Sequence, residues 1–285
     1  MTRETVLITG GARGQGRSHA LGFAARGADV AVLDIGKPID GLPYQLATSD
    51  DLRETADLVA ATGVRGLAVA CDVRDAAQVQ TAVDTVLAEF GHLDTLVLNH
   101  GIWSTGRFWE VAEDAWTSTF DVNVNGSWRI AKAVAPAMIE RRSGNIVVIG
   151  STSATIPTQN YAHYAGSKAA LVQLTKIFAA ELGGFGIRVN SVSPGLVDTP
   201  MINFQAVYDR VRPGASREEF LQGGYAMTLL AGRRQLDPAA VTSAVLWLTS
   251  PQAADITGLD LVIDAGNRLL PRHNPRPWTP EGKTS

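Results

Sequence analysis

Seven short apolar runs, rich in β-branched residues, alternate with amphipathic stretches along almost the whole chain, and that alternation leaves few folds open. The runs cover residues 5–8, 29–34, 66–71, 93–98, 145–149, 188–193 and 260–263. Nearly continuous Val, Ile and Leu is what strands buried on both faces require. Between them lie helical patterns, among them residues 49–62, 76–90 and 161–182. Gly63 and Gly91 stand just past two of these, where left-handed helix ends are common. Alternation without a linker predicts an α/β fold, a single doubly wound Rossmann domain with a seven-stranded parallel sheet and helices on both faces. The domain is expected to span residues 1–267. A proline-rich tail, 268–285, follows it.

Composition narrows the function classes. At 45% hydrophobic and 19% charged residues the chain reads as globular. A net charge of −3 offers no basic surface for nucleic acid or anionic lipid. No apolar stretch nears the ~20 residues that span a bilayer, and a strand-like run beginning at Thr5 leaves no room for an export signal. A cytoplasmic protein is expected. Cys71 is the single cysteine, so neither an internal disulfide nor a cysteine-rich metal site is available, and it reads as a small buried hydrophobe.

The first strand runs into Thr9-Gly10-Gly11-Ala12-Arg13-Gly14-Gln15-Gly16. Glycines let a pyrophosphate approach the backbone, and the following helix N-terminus offers free N–H groups and partial positive charge. A glycine loop alone is weak evidence, but the second strand ends in Asp34, where a carboxylate accepts from a ribose 2′-hydroxyl and repels a 2′-phosphate. That favours NAD over NADP, with Arg13 as the contrary hint. Asp72, at the end of the third strand, has two readings: a partner for the adenine amino group, or a helix-start residue.

Tyr164 and Lys168 stand four apart, on one face of a helical pattern, with Ser151 thirteen positions before the tyrosine. A free phenol titrates near ~10 and is a poor proton carrier at neutral pH. An adjacent ammonium favours the phenolate and is expected to pull that value down. A serine hydroxyl nearby would hold a carbonyl or alcohol oxygen against the phenol. With only five lysines in the chain, one at this spacing is informative.

Together these motifs resemble the short-chain dehydrogenase/reductase family, in its classical form, from Thr5 to Gly266. The loop matches Thr-Gly-x-x-x-Gly-x-Gly; Asn99-His100-Gly101 stands where the family has Asn-Ala-Gly; Asn123 opens Asn-x-x-Gly; Ser151, Tyr164 and Lys168 keep the family spacing; Pro194-Gly195, with Thr199 beyond, matches the turn at the nicotinamide end. The resemblance implies that Tyr164 is the acid–base, with Lys168 tuning it and bonding the nicotinamide ribose. It also implies that Ser151 orients the substrate oxygen and that Asn123 holds a water between Lys168 and solvent. It adds Gln15, Val73 and Val197 to the NAD contacts. Tyr161, seven before Lys168, reads as helix start or pocket wall, His163 as helix surface, and His100 as a satisfied, partly buried imidazole.

Residues 36–48 form a long insertion between the second strand and its helix. With Ala12-Arg13-Gly14-Gln15-Gly16-Arg17-Ser18-His19 it resembles the mycofactocin-coupled, carveol-dehydrogenase-like subgroup. That implies an insertion covering the adenosine half of NAD, a nucleotide that stays bound, and mycofactocin as electron acceptor. The run Ser193-Pro194-Gly195-Leu196-Val197-Asp198 departs from the subgroup's His-Pro-Thr-Asn-Val-like version. Ile39, Leu42, Pro43, Tyr44 and Leu46 argue against an insertion that is fully solvated.

Trp103, Phe108 and Trp109 follow one turn at the ligand edge of the sheet. Met201, Ile202, Phe204, Tyr208, Phe220, Tyr225 and Met227 crowd a lid at 200–235. About half of these are expected to be structural, and Trp116 to pack in the core. The substrate expected is a small lipophilic secondary alcohol or its ketone. Two other readings stand beside this one: an ordinary exchangeable NAD(P) reductase acting on a 3-oxoacyl group or ketone, and a non-catalytic NAD-binding sensor. The resemblance implies a homotetramer assembled through the helices of 116–141 and 161–182.

Overall fold

Along β1 (Thr5–Thr9) and β2 (Asp29–Asp34) the side chains fall alternately on two faces, and each face has its own core. Leu7, Ala31 and Leu33 belong to one apolar cluster and Val6, Ile8, Val30 and Val32 to the other. This is the pattern expected of strands covered on both sides. In the computed structural model, which describes residues 3–224 and 227–270, five more strands complete the sheet. They are β3 (Gly66–Ala70), β4 (Thr95–Leu98), β5 (Gly144–Ile149), β6 (Ile187–Pro194) and β7 (Asp260–Ile263). The order is β3-β2-β1-β4-β5-β6-β7 and every neighbouring pair is parallel. The seven-stranded α/β expectation therefore holds.

Helices α1 (Gly14–Ala25), α2 (Ser49–Ala60), α3 (Ala76–Phe90), α4 (Glu113–Phe120), α5 (Gly126–Arg141) and α6 (Ala162–Leu182) follow in chain order. Short α7 (Gln205–Tyr208) and α8 (Arg217–Gly224) build the lid, and α9 (Pro238–Thr249) returns to the sheet. Phe23 of α1, Val59 of α2 and Val245 of α9 pack on one face, and Val83 of α3, Val134 of α5 and Leu171 of α6 on the other. Helix starts are set locally. Thr48 and Asp51 form a reciprocal capping box at α2, and Asp75 and Asp237 cap α3 and α9. Gly91 takes the left-handed end of α3, at φ +80°. Between α4 and α5 the chain makes a π-turn, Asp121–Asn125, closed by the Gly126 N–H donating to the Asp121 carbonyl.

Three sequence expectations on aromatic and histidine residues change. Trp116 is 43% exposed and stacks on Phe120 at the surface rather than in the core. Phe108 and Trp109, expected among the substrate-facing aromatics, are 68% and 65% exposed and pack edge-to-face on each other. His163 is fully buried, because α4 and the loop after β4 cover that side of α6. Prolines 271, 275, 277 and 280 of the tail, and Tyr225 of the lid, lie outside the described residues. No helix among the described residues is long and apolar enough to cross a membrane.

Candidate active site

The sheet order reverses between β1 and β4, which opens a crevice beyond their carboxyl ends. Two hollows meet there. One, with about 860 Å³ of open space, runs from the glycine loop over Asp34 and Asp72 beneath the insertion. The other, of about 1330 Å³, holds Ser151, Tyr164 and Lys168 beneath the lid. Gln15, Asn99, Gly101, Thr199 and Met201 line both, so the two share a wall.

The first hollow is built for a dinucleotide. A Cβ on Gly16 would lie 2.0 Å from the Gly10 carbonyl oxygen, and one on Gly10 would lie 2.7 Å from the His100 Cα. Only glycine lets these segments close. α1 starts without a side-chain cap and without an acid in its first turn, leaving its N–H groups to an anion. The buried Gln15 Oε1 finds no partner among the described residues. Asn99 Nδ2 donates to the Thr9 and Gly10 carbonyls at 3.2 and 2.9 Å and holds the loop. These residues fit NAD: the helix start would take its pyrophosphate and Asp34 its adenosine ribose.

Asp34 accepts from the Ile35 N–H at 2.8 Å and the Ala12 N–H at 3.2 Å. Burial raises its pKa, and these N–H groups and Arg13 oppose the rise. Asp72 lines the same hollow and is paired with Arg74 at 2.9 and 2.7 Å, which holds its carboxyl below the ordinary range. The cap of α3 is Asp75, so the helix-start reading of Asp72 is corrected. Val73 lines the hollow beside it. Arg13 donates to the Gln45 carbonyl of the insertion, which gives the guanidinium a task other than greeting a 2′-phosphate.

The insertion is a roof. Ile39, Tyr44, Leu46 and Ala47 line the hollow from above, and Tyr44 is 9% exposed. Its hydroxyl accepts from the Trp103 N–H at 3.0 Å. The expectation of a covering rather than a solvated loop holds. The Tyr44–Trp103 bond was not legible in the sequence, since no spacing rule joins residues 59 apart.

In the second hollow Lys168 is 4% exposed, and its Nζ donates to the Ile149 carbonyl at 2.8 Å. Burial lowers its pKa to about 8. Burial likewise pushes the Tyr164 phenol up to about 12, against the opposing hydrogen bond from Ser151. The expectation that the neighbouring ammonium pulls the phenol's pKa down is corrected. The Nζ lies 5.9 Å from the tyrosine ring centre and is bonded elsewhere, so desolvation dominates. Ser151 Oγ accepts from the Ser153 N–H at 3.1 Å, which leaves its own proton for Tyr164 or a substrate oxygen.

Asn123 sits inside the π-turn. Its Oδ1 accepts from the Ile102 N–H at 2.8 Å, and its Nδ2 donates to the Ile102 carbonyl and to Ser167 Oγ at 3.1 and 2.9 Å. The amide ties α6 to the loop after β4. His100 Nδ1 is 2.6 Å from Thr9 Oγ1, and burial, with nearby Lys168, lowers its pKa to about 3. It is a satisfied neutral imidazole, as expected. Buried His163 is paired with Ser104 at 2.8 Å, a partnership the sequence did not reveal. Tyr161 is both the residue before α6 and a wall of the hollow, its hydroxyl accepting from Arg210 at 2.6 Å. Pro194, Gly195, Val197 and Thr199 line the same hollow, as expected from the turn after β6.

The chain matches a family model described as enoyl-(acyl carrier protein) reductase over residues 10–268. It is 40% identical to an uncharacterised NAD-dependent oxidoreductase of Mycobacterium tuberculosis, over 91% of this chain and 94% of the relative. It is 34% identical to the (-)-trans-carveol dehydrogenase of Rhodococcus erythropolis, over 93% and 97%. Among solved structures, carveol dehydrogenase from Mycobacterium avium in complex with NAD superposes with a TM-score of 0.92 at 33% identity, covering 95% of this chain and 99% of that one. With the glycine loop, the serine–tyrosine–lysine set and this similarity over nearly its full length, the chain belongs to the short-chain dehydrogenase/reductase family.

Proposed function

We propose that the protein is an NAD-dependent dehydrogenase interconverting a lipophilic secondary alcohol and its ketone. The observation that carries this reading is the shared wall: Ser151, Tyr164 and Lys168 line a hollow that opens directly onto the one fitted to a dinucleotide. Trp103, Ile156, Met201 and Ile202 give the second hollow an apolar lining. When bound, NAD accepts or returns the hydride at the carbinol carbon. Ser151 donates a hydrogen bond to the substrate oxygen. Tyr164 takes the hydroxyl proton in oxidation and returns it in reduction. Lys168 stabilises the phenolate form, which takes the proton in oxidation and is left behind when the proton is returned in reduction. In oxidation, the positive charge of the oxidised nicotinamide helps offset the burial that otherwise keeps the phenol protonated.

Asp34 supports NAD over NADP. Asp34→Ser is expected to weaken the preference for NAD over NADP about tenfold or more, the worth of one charge-assisted hydrogen bond. The ratio of the two kcat/KM values measures it, and an unchanged ratio would remove Asp34 from nucleotide selection.

The finer reading is a nucleotide that does not exchange and is reoxidised in place by mycofactocin. Its support is the roof of residues 36–48, fastened at Tyr44 and through the Arg13–Gln45 bond. A homotetramer is proposed with it, supported by the surface-exposed Trp116 and Trp128 on α4 and α5. Native mass spectrometry of the purified protein is expected to find NAD at close to one per chain and four chains per particle. Turnover is then expected to be insensitive to added NAD. Protein that elutes empty and saturates with free NAD would leave the dehydrogenase reading standing and overturn retention.

A further inference from the structure

The roof over the nucleotide and the lid over the substrate come from different parts of the chain, yet they share one small apolar cluster. Tyr44 of the insertion, Trp103 of the loop after β4 and Val207 of the lid are its buried members, with Phe204 packed against them. The Tyr44 and Phe204 rings are 5.5 Å apart, and Phe204 lies 6.3 Å from Trp103. Trp103 in turn packs 5.8 Å from Tyr161, and its N–H donates to the Tyr44 hydroxyl. Tyr44 lines the nucleotide hollow, Trp103 lines the substrate hollow, and Phe204 lines neither.

A roof joined in this way cannot lift at Tyr44 without vacating the face of Phe204 and freeing the buried Trp103 N–H. A lid cannot swing out at Phe204 without uncovering Tyr44. Packed aromatic contacts have discrete arrangements rather than a continuous range, so the two movements are tied. We propose that Tyr44 is a positioning residue that makes the nucleotide roof and the substrate lid open and close as one unit, through Phe204 and Trp103. A molecule that holds the lid shut then slows nucleotide release; whatever factor it adds to nucleotide affinity, bound nucleotide adds by reciprocity to the affinity of the lid for its substrate. The inference rests on the dehydrogenase reading and adds a coupling that a roof and lid acting independently would lack.

The test is the rate at which NADH leaves the protein, chased with excess NAD and followed by NADH fluorescence. It compares the native chain with Tyr44→Phe, Phe204→Leu and the double variant. Phe108→Leu, at an exposed position outside the cluster, serves as the control. Phe204→Leu is expected to speed release about fivefold, the worth of one aromatic pair, although its side chain lines no part of the nucleotide hollow. Tyr44→Phe, which keeps the ring and loses the bond to Trp103, is expected to do likewise. The double variant should be slower than the product of the two single effects, and Phe108→Leu should release at the native rate. Release unchanged by Phe204→Leu, or single effects that simply multiply, would overturn the coupling. Phe204→Met carries the same comparison if the leucine variant does not fold. Protein that is stripped of any resident nucleotide and still binds no NADH would overturn the dehydrogenase reading and this inference with it.

Discussion

Replacing Tyr164 with phenylalanine is expected to lower turnover about 10³-fold while NADH affinity stays within a factor of about two. Phenylalanine keeps the ring among its neighbours and removes only the proton carrier. The nearest hydroxyls are already committed to other partners. The Tyr161 hydroxyl is engaged by Arg210, and Ser151 is aimed at the phenol itself. Single-turnover hydride transfer, read as NADH absorbance with a carveol probe, separates lost chemistry from lost binding. Retained activity would overturn the assignment. Nucleotide binding lost together with activity would instead make Tyr164 part of the nucleotide wall.

Lys168→Met is expected to act in opposite directions on activity and stability. Turnover should fall at least about 10²-fold, because the phenolate loses its counter-charge. Stability should rise at neutral pH. A lysine whose pKa falls from 10.5 to about 8 on folding carries a folding cost on the order of 3 kcal/mol wherever both states are charged. Methionine removes that cost but orphans the Ile149 carbonyl, which offsets part of the gain. The sign with pH follows. Below about pH 8 the native protein bears the whole cost. Between 8 and 10.5 the folded state has lost a proton that the unfolded state keeps, so native stability climbs. The melting-temperature advantage of Lys168→Met should therefore shrink across that window. Tyr164 lowers the stability of both proteins alike, and only above about pH 10, where the unfolded phenol ionises first, so it leaves their difference unchanged. An advantage constant with pH would mean that Lys168 is not desolvated as its burial implies.

The legible parts of this molecule were those fixed by local rules. β2 came out with its expected ends because turn residues bound a β-branched run, and α3 because Asp75 and Gly91 cap it. Gly10, Gly16 and Asp34 could be read because each answers a steric or charge requirement that a single residue meets. What escaped depended on contacts made between distant segments. His163 has the spacing of a surface residue, and only the packing of α4 buries it. Trp116 has the composition of a core residue, yet it lies on the outward side of a short helix. The spacing of Tyr164 and Lys168 shows a charge beside the phenol, whereas the desolvation that governs its pKa belongs to the whole pocket.

The π-turn at Asp121–Asn125 means that the stretch from Glu113 to Arg141 carries one residue more than an unbroken α-helix with the same ends would. Chain length here, rather than side-chain identity, aims the Asn123 amide at Ile102 and at Ser167 on α6. Removing a single residue between 121 and 125 would let the stretch close as an unbroken α-helix with the same ends, so that only the residues of the turn itself would change the direction they face. With any residue of the turn but Asn123 removed, α4 and α5 would keep their neighbours, while the Asn123 amide would lose its aim at Ile102 and Ser167.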